Sequence, residues 1–176
     1  GNYTVNVTDG ATGVRAGSEP VTVVDAARKT AAFESGVVSE HAGDVVEVAV
    51  ELRYADAATV TVGSDEAGFR ANATVADENG DGAVRLRFNT DAVAGATTVP
   101  ADGGDVFGVP PGDANGSDAV VAADIDDRNA VGETLDPGEY PLSVRTGTDA
   151  AADAAAVATV GLTAPAPEAL TTLVAP

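Results

Sequence analysis

The most regular feature of the chain is a two-residue alternation of apolar and polar side chains. Over 45–54 (VVEVAVELRY) one face carries Val46, Val48, Val50, Leu52 and Tyr54, and the other carries Glu47, Ala49, Glu51 and Arg53. Successive side chains of a strand point to opposite faces, so this run predicts a half-buried strand with its valine face inward. Residues 69–75 (FRANATV) turn Phe69, Ala71, Ala73 and Val75 inward, and 84–88 (VRLRF) do the same with Val84, Leu86 and Phe88. Between them lies a turn, Asp77-Glu78-Asn79-Gly80-Asp81-Gly82. Folding about it sets Val75 opposite Val84, Ala73 opposite Leu86 and Ala71 opposite Phe88, which predicts a hairpin. Shorter runs at 3–7, 21–24, 59–62, 118–123, 140–144 and 156–163 continue the series at the spacing of a β-sandwich.

Two stretches depart from this pattern. Residues 149–158 (DAAADAAAVA) are Ala-rich enough for a short helix, or form a loop leading into the strand at 156–163. Residues 90–117, rich in Gly, Pro, Asp and Thr, read as a long surface loop.

A repeat organises these strands into domains. Asp136-Pro137-Gly138-Glu139-Tyr140 matches the Asp-x-Gly-x-Tyr turn of a tyrosine corner, in which the hydroxyl bonds back to upstream backbone; Asp136, Gly138 and Tyr140 are its structural residues. The same arrangement opens the chain as Gly1-Asn2-Tyr3-Thr4-Val5-Asn6-Val7, followed by a turn and a Val-rich run. Residues 1–27 are therefore expected to be the terminal hairpin of a preceding immunoglobulin-like module, or an equivalent hairpin packed on the main domain. Residues 28–165 form the main domain, and 166–176 a linker or tail. The fold expected is all-β, an immunoglobulin-like antiparallel β-sandwich with a preceding β-hairpin.

Composition narrows what such a domain can do. The 176 residues include 28 acids and nine Lys or Arg, a formal net charge of −19, with no Cys, Met or Trp. Nucleic-acid binding is excluded by the lack of a basic face, and disulfides and thiolate chemistry by the lack of Cys. No apolar run approaches the ~20 residues that span a bilayer, so direct membrane insertion of this segment is not expected. The chain opens on Gly1 without a Met, as a processed product or a piece of something longer would. Only Lys29 is a lysine, and large apolar side chains are scarce while Ala, Val, Gly and Asp abound. At about 1 M salt the Debye length is roughly 3 Å, so the repulsion of such a surface is screened; the composition is that of a salt-adapted protein.

Candidate chemistry is sparse. Four Asn-x-Ser/Thr sequons, at Asn2, Asn6, Asn72 and Asn115, are candidate sites for N-linked glycans. Asp77, Asn79 and Asp81 fit the first half of a calcium loop, but its twelfth position is Phe88 rather than Glu, so Ca2+ is a candidate ligand without an EF-hand. Asp124, Asp126 and Asp127 are a second acidic group. His41, the only histidine, has no Cys or second His with which to build a zinc site or a nucleophile–base pair, and Lys29 is a candidate for an isopeptide bond with an Asn. No pair of carboxylates is singled out for hydrolysis. An enzyme is not expected.

Phe33-Glu34, Gly43-Asp44 leading into VEVAVEL, Thr59 to Gly63, Asp77 to Gly82 followed by Phe88-Asn89-Thr90, and Asp136 to Tyr140 together resemble a domain of haloarchaeal cell-surface, surface-layer-like glycoproteins. The resemblance covers about 33–165. It implies an extracellular, cell-surface location, a structural role in the envelope, and other surface modules or copies of itself as partners. The alternative role is a filament subunit with a strand-donating hairpin, or an adhesive or glycan-binding module. The charge makes a direct prediction: the unfolding midpoint rises between about 0.1 M and about 3 M salt. An unchanged midpoint across that range, followed by circular dichroism, would contradict the salt-adapted reading.

Overall fold

The computed structural model describes residues 2–22, 28–111, 117–149 and 151–165. Two small sheets occupy the first stretch. Strand β1 (Asn2–Tyr3) pairs with β4 (Val21–Thr22), and β2 (Asn6–Thr8) pairs with β3 (Arg15–Gly17), both antiparallel. Asp9 closes the tip by accepting from the N–H groups of Ala11 and Thr12 at 2.9 and 2.8 Å. Residues 3–20 are all exposed. The expected strand at 21–24 is described only as far as Thr22, and 23–27 and the tail 166–176 lie outside the described residues.

The rest is a sandwich of two sheets. Its strands are β5 (Thr30–Phe33), β6 (Val37–His41), β7 (Val45–Arg53), β8 (Ala57–Ser64), β9 (Phe69–Ala76), β10 (Ala83–Asn89), β11 (Phe107–Gly108), β12 (Ala119–Asp127), β13 (Gly138–Thr146) and β14 (Ala156–Thr163). One sheet has the order β11-β10-β7-β5, the other β12-β9-β8-β13-β14-β6. Pairing is antiparallel except where β6 runs parallel to β14. The chain thus switches sheets between β5 and β6, closing the sandwich along one side. The all-β sandwich agrees with the alternation.

The alternation also located most of the core. Val46, Val48, Val50, Leu52, Phe69, Ala71, Ala73, Val75, Val84, Leu86 and Phe88 are all buried. Tyr54 does not join them. It is 72% exposed, because the backbone leaves the strand there in a left-handed conformation (φ 54°), which breaks the alternation.

The expected hairpin of 69–75 with 84–88 does not form. Strand β9 lies between β8 and β12 in the larger sheet, and β10 pairs with β7, Val84 facing Val50 and Leu86 facing Val48. The turn at 77–82 is an arch between sheets. The two apolar faces do meet, but across the core at the ~10 Å separation of packed sheets instead of edge to edge. A six-residue connection can span that gap, whereas sequence alternation is the same for either geometry. One consequence is a row of rings: Phe107 stacks on Phe88 at 5.3 Å, Phe88 on Phe69 at 5.8 Å, and Tyr140 meets Phe69 edge-on at 6.2 Å.

The segment 90–117 is not wholly a surface loop. It holds a short helix, α1 (Ala92–Gly95), and β11, and buries Val93, Val106 and Phe107. Buried Thr90 accepts from Gly43 N–H at 2.8 Å and donates to the Asp44 carbonyl at 2.7 Å, while Arg128 donates to the Val93 and Ala94 carbonyls at the end of α1. These tertiary anchors have no local sequence pattern; residues 112–116 lie outside the described set. Residues 147–155 form no helix among those described and enter β14 at Ala156, so the loop reading holds.

Gly63 sits where β8 turns toward β9, with φ of 81°, and a Cβ there would stand 2.0 Å from the Phe69 carbonyl oxygen. Gly63→Ala should therefore cost more than about 2 kcal/mol in urea unfolding. Gly36→Ala, which meets nothing within 4 Å, is the control and should be near neutral.

Candidate interaction and modification sites

The acidic arch 77–82 is held by its own side chains. Asp77 accepts from Gly80 N–H at 2.7 Å and, through its other oxygen, from Gly82 N–H at 2.9 Å. Asn79 accepts from Asp81 N–H and Asp81 from Ala83 N–H, both at 2.8 Å. Each residue marked for calcium thus accepts a backbone N–H of the turn, as in Asx-type turns. Among the described residues no three His, Cys, Asp or Glu side chains are grouped to hold a metal ion.

A residue that sequence reasoning missed completes the arch. Asp118, just ahead of β12, accepts from the Asn79 and Glu78 N–H groups, yet its carboxyl is held above the ordinary aspartate value, first by burial and then by the charges of Asp77 and Asp81. Its Oδ1 is buried without a hydrogen-bond partner among the described residues. Only the long-range approach of β12 creates this juxtaposition, so no local motif could have revealed it.

The second acidic group is hydrogen-bonded on the outer face of the larger sheet. Asn72 Nδ2 donates to Asp124 and Asp126, each at 3.0 Å, and Arg70 bridges Asp126 at 3.1 Å and Asp65 at 3.0 Å. Asp127 accepts from Asn129 N–H at 3.0 Å. Thr61 donates to Asn72 Oδ1 at 2.7 Å, and Arg145 donates to Thr61 at 2.8 Å and to the Ala152 carbonyl at 2.7 Å. Arg145 thereby draws the Ala-rich loop over the sheet, which explains why Thr59, Thr61 and Thr74 are buried on an outward face. Thr59 and Thr74 hydroxyls lie 3.0 Å apart.

His41 lies 3.7 Å from Asp44, both exposed, and Lys29 is exposed. Of the sequons, Asn6 is exposed on β2 and Asn72 is half-buried; Asn115 and the side chain of Asn2 lie outside the described set. At the tyrosine corner the Tyr140 hydroxyl donates to the Asp136 carbonyl at 2.7 Å, and its pKa is raised by burial and then by the Asp136 charge. Gly138 lies against the ring, a Cβ there meeting it at 3.7 Å.

The repeat of this corner has a counterpart in strand register. Tyr140 pairs with Val160 and Val144 with Ala156 across β13 and β14; Tyr3 pairs with Val21 and Val7 with Ala16 across the N-terminal hairpin. One extra residue lies in the return strand, near Ser18, whose N–H donates to the Val5 carbonyl at 2.8 Å. The burial is opposite: Tyr140, Leu142 and Val144 are at most 2% exposed, whereas Tyr3, Val5 and Val7 are 62–63% exposed.

Residues 23–147 match a domain of unknown function (DUF7827), a match that begins just past the described hairpin and ends with β13. The chain is also 40% identical over 150 residues to a cell surface glycoprotein of Haloferax gibbonsii, covering 85% of this chain and 16% of that protein. Cell surface glycoproteins 1 and 2 of Haloarcula hispanica are each 31% identical over 147 and 149 residues, covering 83% of this chain and 15% and 16% of those proteins. The chain thus spans about a sixth of the length of these relatives. No solved structure matches.

The arch yields a test. Because the folded-state pKa of Asp118 is raised, folding favours its neutral form: that contribution is complete below the ordinary 3.8 and lost as pH rises through the folded value. Asp118→Asn should raise the thermal midpoint at pH 7 in low salt by roughly 1–3 °C, with the advantage shrinking in molar salt. Below pH ~3.8 wild type and variant should converge; a variant less stable at pH 7 would refute the charge-crowding account.

Proposed function

We propose that this chain, which belongs to the DUF7827 family, is a non-catalytic structural module of a longer haloarchaeal cell surface glycoprotein, extracellular and one of several sandwiches in series. The observation that carries the serial reading is the hairpin 2–22. It reproduces the pairing of β13 with β14 and carries a similar face, Tyr-x-Val-x-Val against Tyr-x-Leu-x-Val, but that face is bare. In the main domain the equivalent face seals the core between the two sheets. The hairpin is therefore the closing hairpin of a sandwich that precedes this one in the same polypeptide. The length of the relatives leaves room for such neighbours. A surface rich in carboxylates keeps such an array hydrated and apart in concentrated salt.

The same bare face could instead complete the sheet of another molecule, the donor-strand mode, and one experiment separates the two. Val5→Asp is introduced into this 176-residue chain and into the longer native polypeptide. In the short chain the sandwich midpoint should not move. In the long one the amides of Tyr3, Val5 and Val7 should be protected from hydrogen exchange in wild type and lose protection in the variant. Unprotected amides in the long wild-type protein would refute the serial reading. Concentration-dependent association of the short chain, abolished by Val5→Asp, would favour donation.

A further inference from the structure

We infer that the two described sequons have opposite roles: Asn6 is a glycan acceptor, and Asn72 is a structural clasp that stays unmodified. The inference rests on the cell-surface reading only in requiring that the chain meet a glycosylating export pathway.

N-glycosylation joins the amide Nδ2 to the anomeric carbon of an oligosaccharide carried on a lipid phosphate. The Nδ2–C1 bond forms, the C1–O bond to phosphate breaks, and the phosphate oxygen leaves with the electron pair. The amide gives up one of its two protons to a base of the transferase. The acceptor must present a free amide, and the hydroxyl two residues on must be readable.

At Asn72 neither condition is met. Both Nδ2 protons are used, one toward Asp124 and one toward Asp126, at 3.0 Å each, and Oδ1 accepts from Thr61 at 2.7 Å. The Thr74 hydroxyl is buried against Thr59. A shallow pocket beside Asn72 is walled by Thr61, Arg70, Asp126, Arg145 and Ala151. A glycan there would strip a donor from one of two adjacent carboxylates and displace the loop that Arg145 holds over the sheet.

At Asn6 both conditions are met. Asn6 and Thr8 are exposed and share a strand face opposite to that of Tyr3, Val5 and Val7, since side chains alternate along the strand. They stay solvent-facing even with the apolar face docked on a preceding sandwich. The residue paired with Asn6 is Gly17, and Asn6 Oδ1 leans over it so closely that a Cβ on Gly17 would lie 2.9 Å away. Glycine opposite the acceptor leaves its flank clear. Among the described residues no hydrogen bond holds the Asn6 side chain.

The test is glycopeptide mass spectrometry of the chain secreted from a haloarchaeal host, with protease shaving of intact cells to report surface exposure. Glycan is expected on the Asn6 peptide and none on the Asn72 peptide. Asn6→Gln should remove one glycan mass and leave the unfolding midpoint unchanged. Asn72→Ala should leave the glycan mass unchanged and lower the midpoint by about 2–6 °C, through the lost charge-assisted bonds. Glycan on Asn72, or a bare Asn6 on a chain that reaches the surface, overturns the assignment and leaves the surface reading standing. A chain that never reaches the surface overturns that reading, while the Asn72→Ala shift still reports on the clasp.

Discussion

Everything else in the molecule depends on β9 and β10 facing each other across the core. Phe69 and Phe88 belong to different sheets and stack at 5.8 Å, and Phe107 and Tyr140 extend the row at either end. With only four Phe and three Tyr in the chain, most of the aromatic volume sits in this row. The remaining core is Val, Ala and Leu, side chains too small to fill the space between sheets without it. The arch at 77–82 makes the stacking possible, because it carries the chain from one sheet to the other. Its carboxylates and amide satisfy the turn's own N–H groups, so the crossover leaves few backbone donors unpaired.

The acidic surface is organised around the few cations. Arg70 pairs with Asp65 and Asp126, the Asn72 amide donates to Asp124 and Asp126, and Arg85 pairs with Glu47 across β10 and β7. Arg145 is used differently, bonding Thr61 and a loop carbonyl instead of a carboxylate. Arg128 likewise serves carbonyls at the end of α1. With so few basic side chains, two of them are spent on holding loops to sheets, and the remaining negative charge is left to solvent and salt. Asp118 is where this is least comfortable, its carboxyl being held above the ordinary value by burial and by the charges of Asp77 and Asp81.

The same strand pattern occurs at two places with opposite fates. Tyr140, Leu142 and Val144 are sealed in the core, and Tyr3, Val5 and Val7 stand in solvent, although the registers of the two hairpins agree at Tyr and at the last Val. A hairpin alone buries little, and this one leaves its apolar face exposed. This view links the fold to the serial role proposed for the family member and gives Asn6 its outward orientation.

The alternation by itself determined the fold class, most strands and nearly the whole apolar face of β7, β9 and β10, because a period of two is a local property of extended backbone. The Asp-x-Gly-x-Tyr spacing likewise revealed the tyrosine corner, a bond spanning four residues. Strands β5 and β6 were too short and irregular to announce themselves, α1 is held by Arg128 from a distant part of the chain, and Thr90 just ahead of it is tied to Gly43 and Asp44. What only the tertiary structure decided was which strands pair and which merely face each other. The run 69–88 has the same alternation whether it closes as a hairpin or arches between sheets, and the choice is made by competition for edges: β8 and β12 take β9, and β7 takes β10. The partners of Asn72 are decided the same way. Its sequon is a three-residue fact, but its amide belongs to Asp124 and Asp126, more than fifty residues away, because β12 pairs beside it.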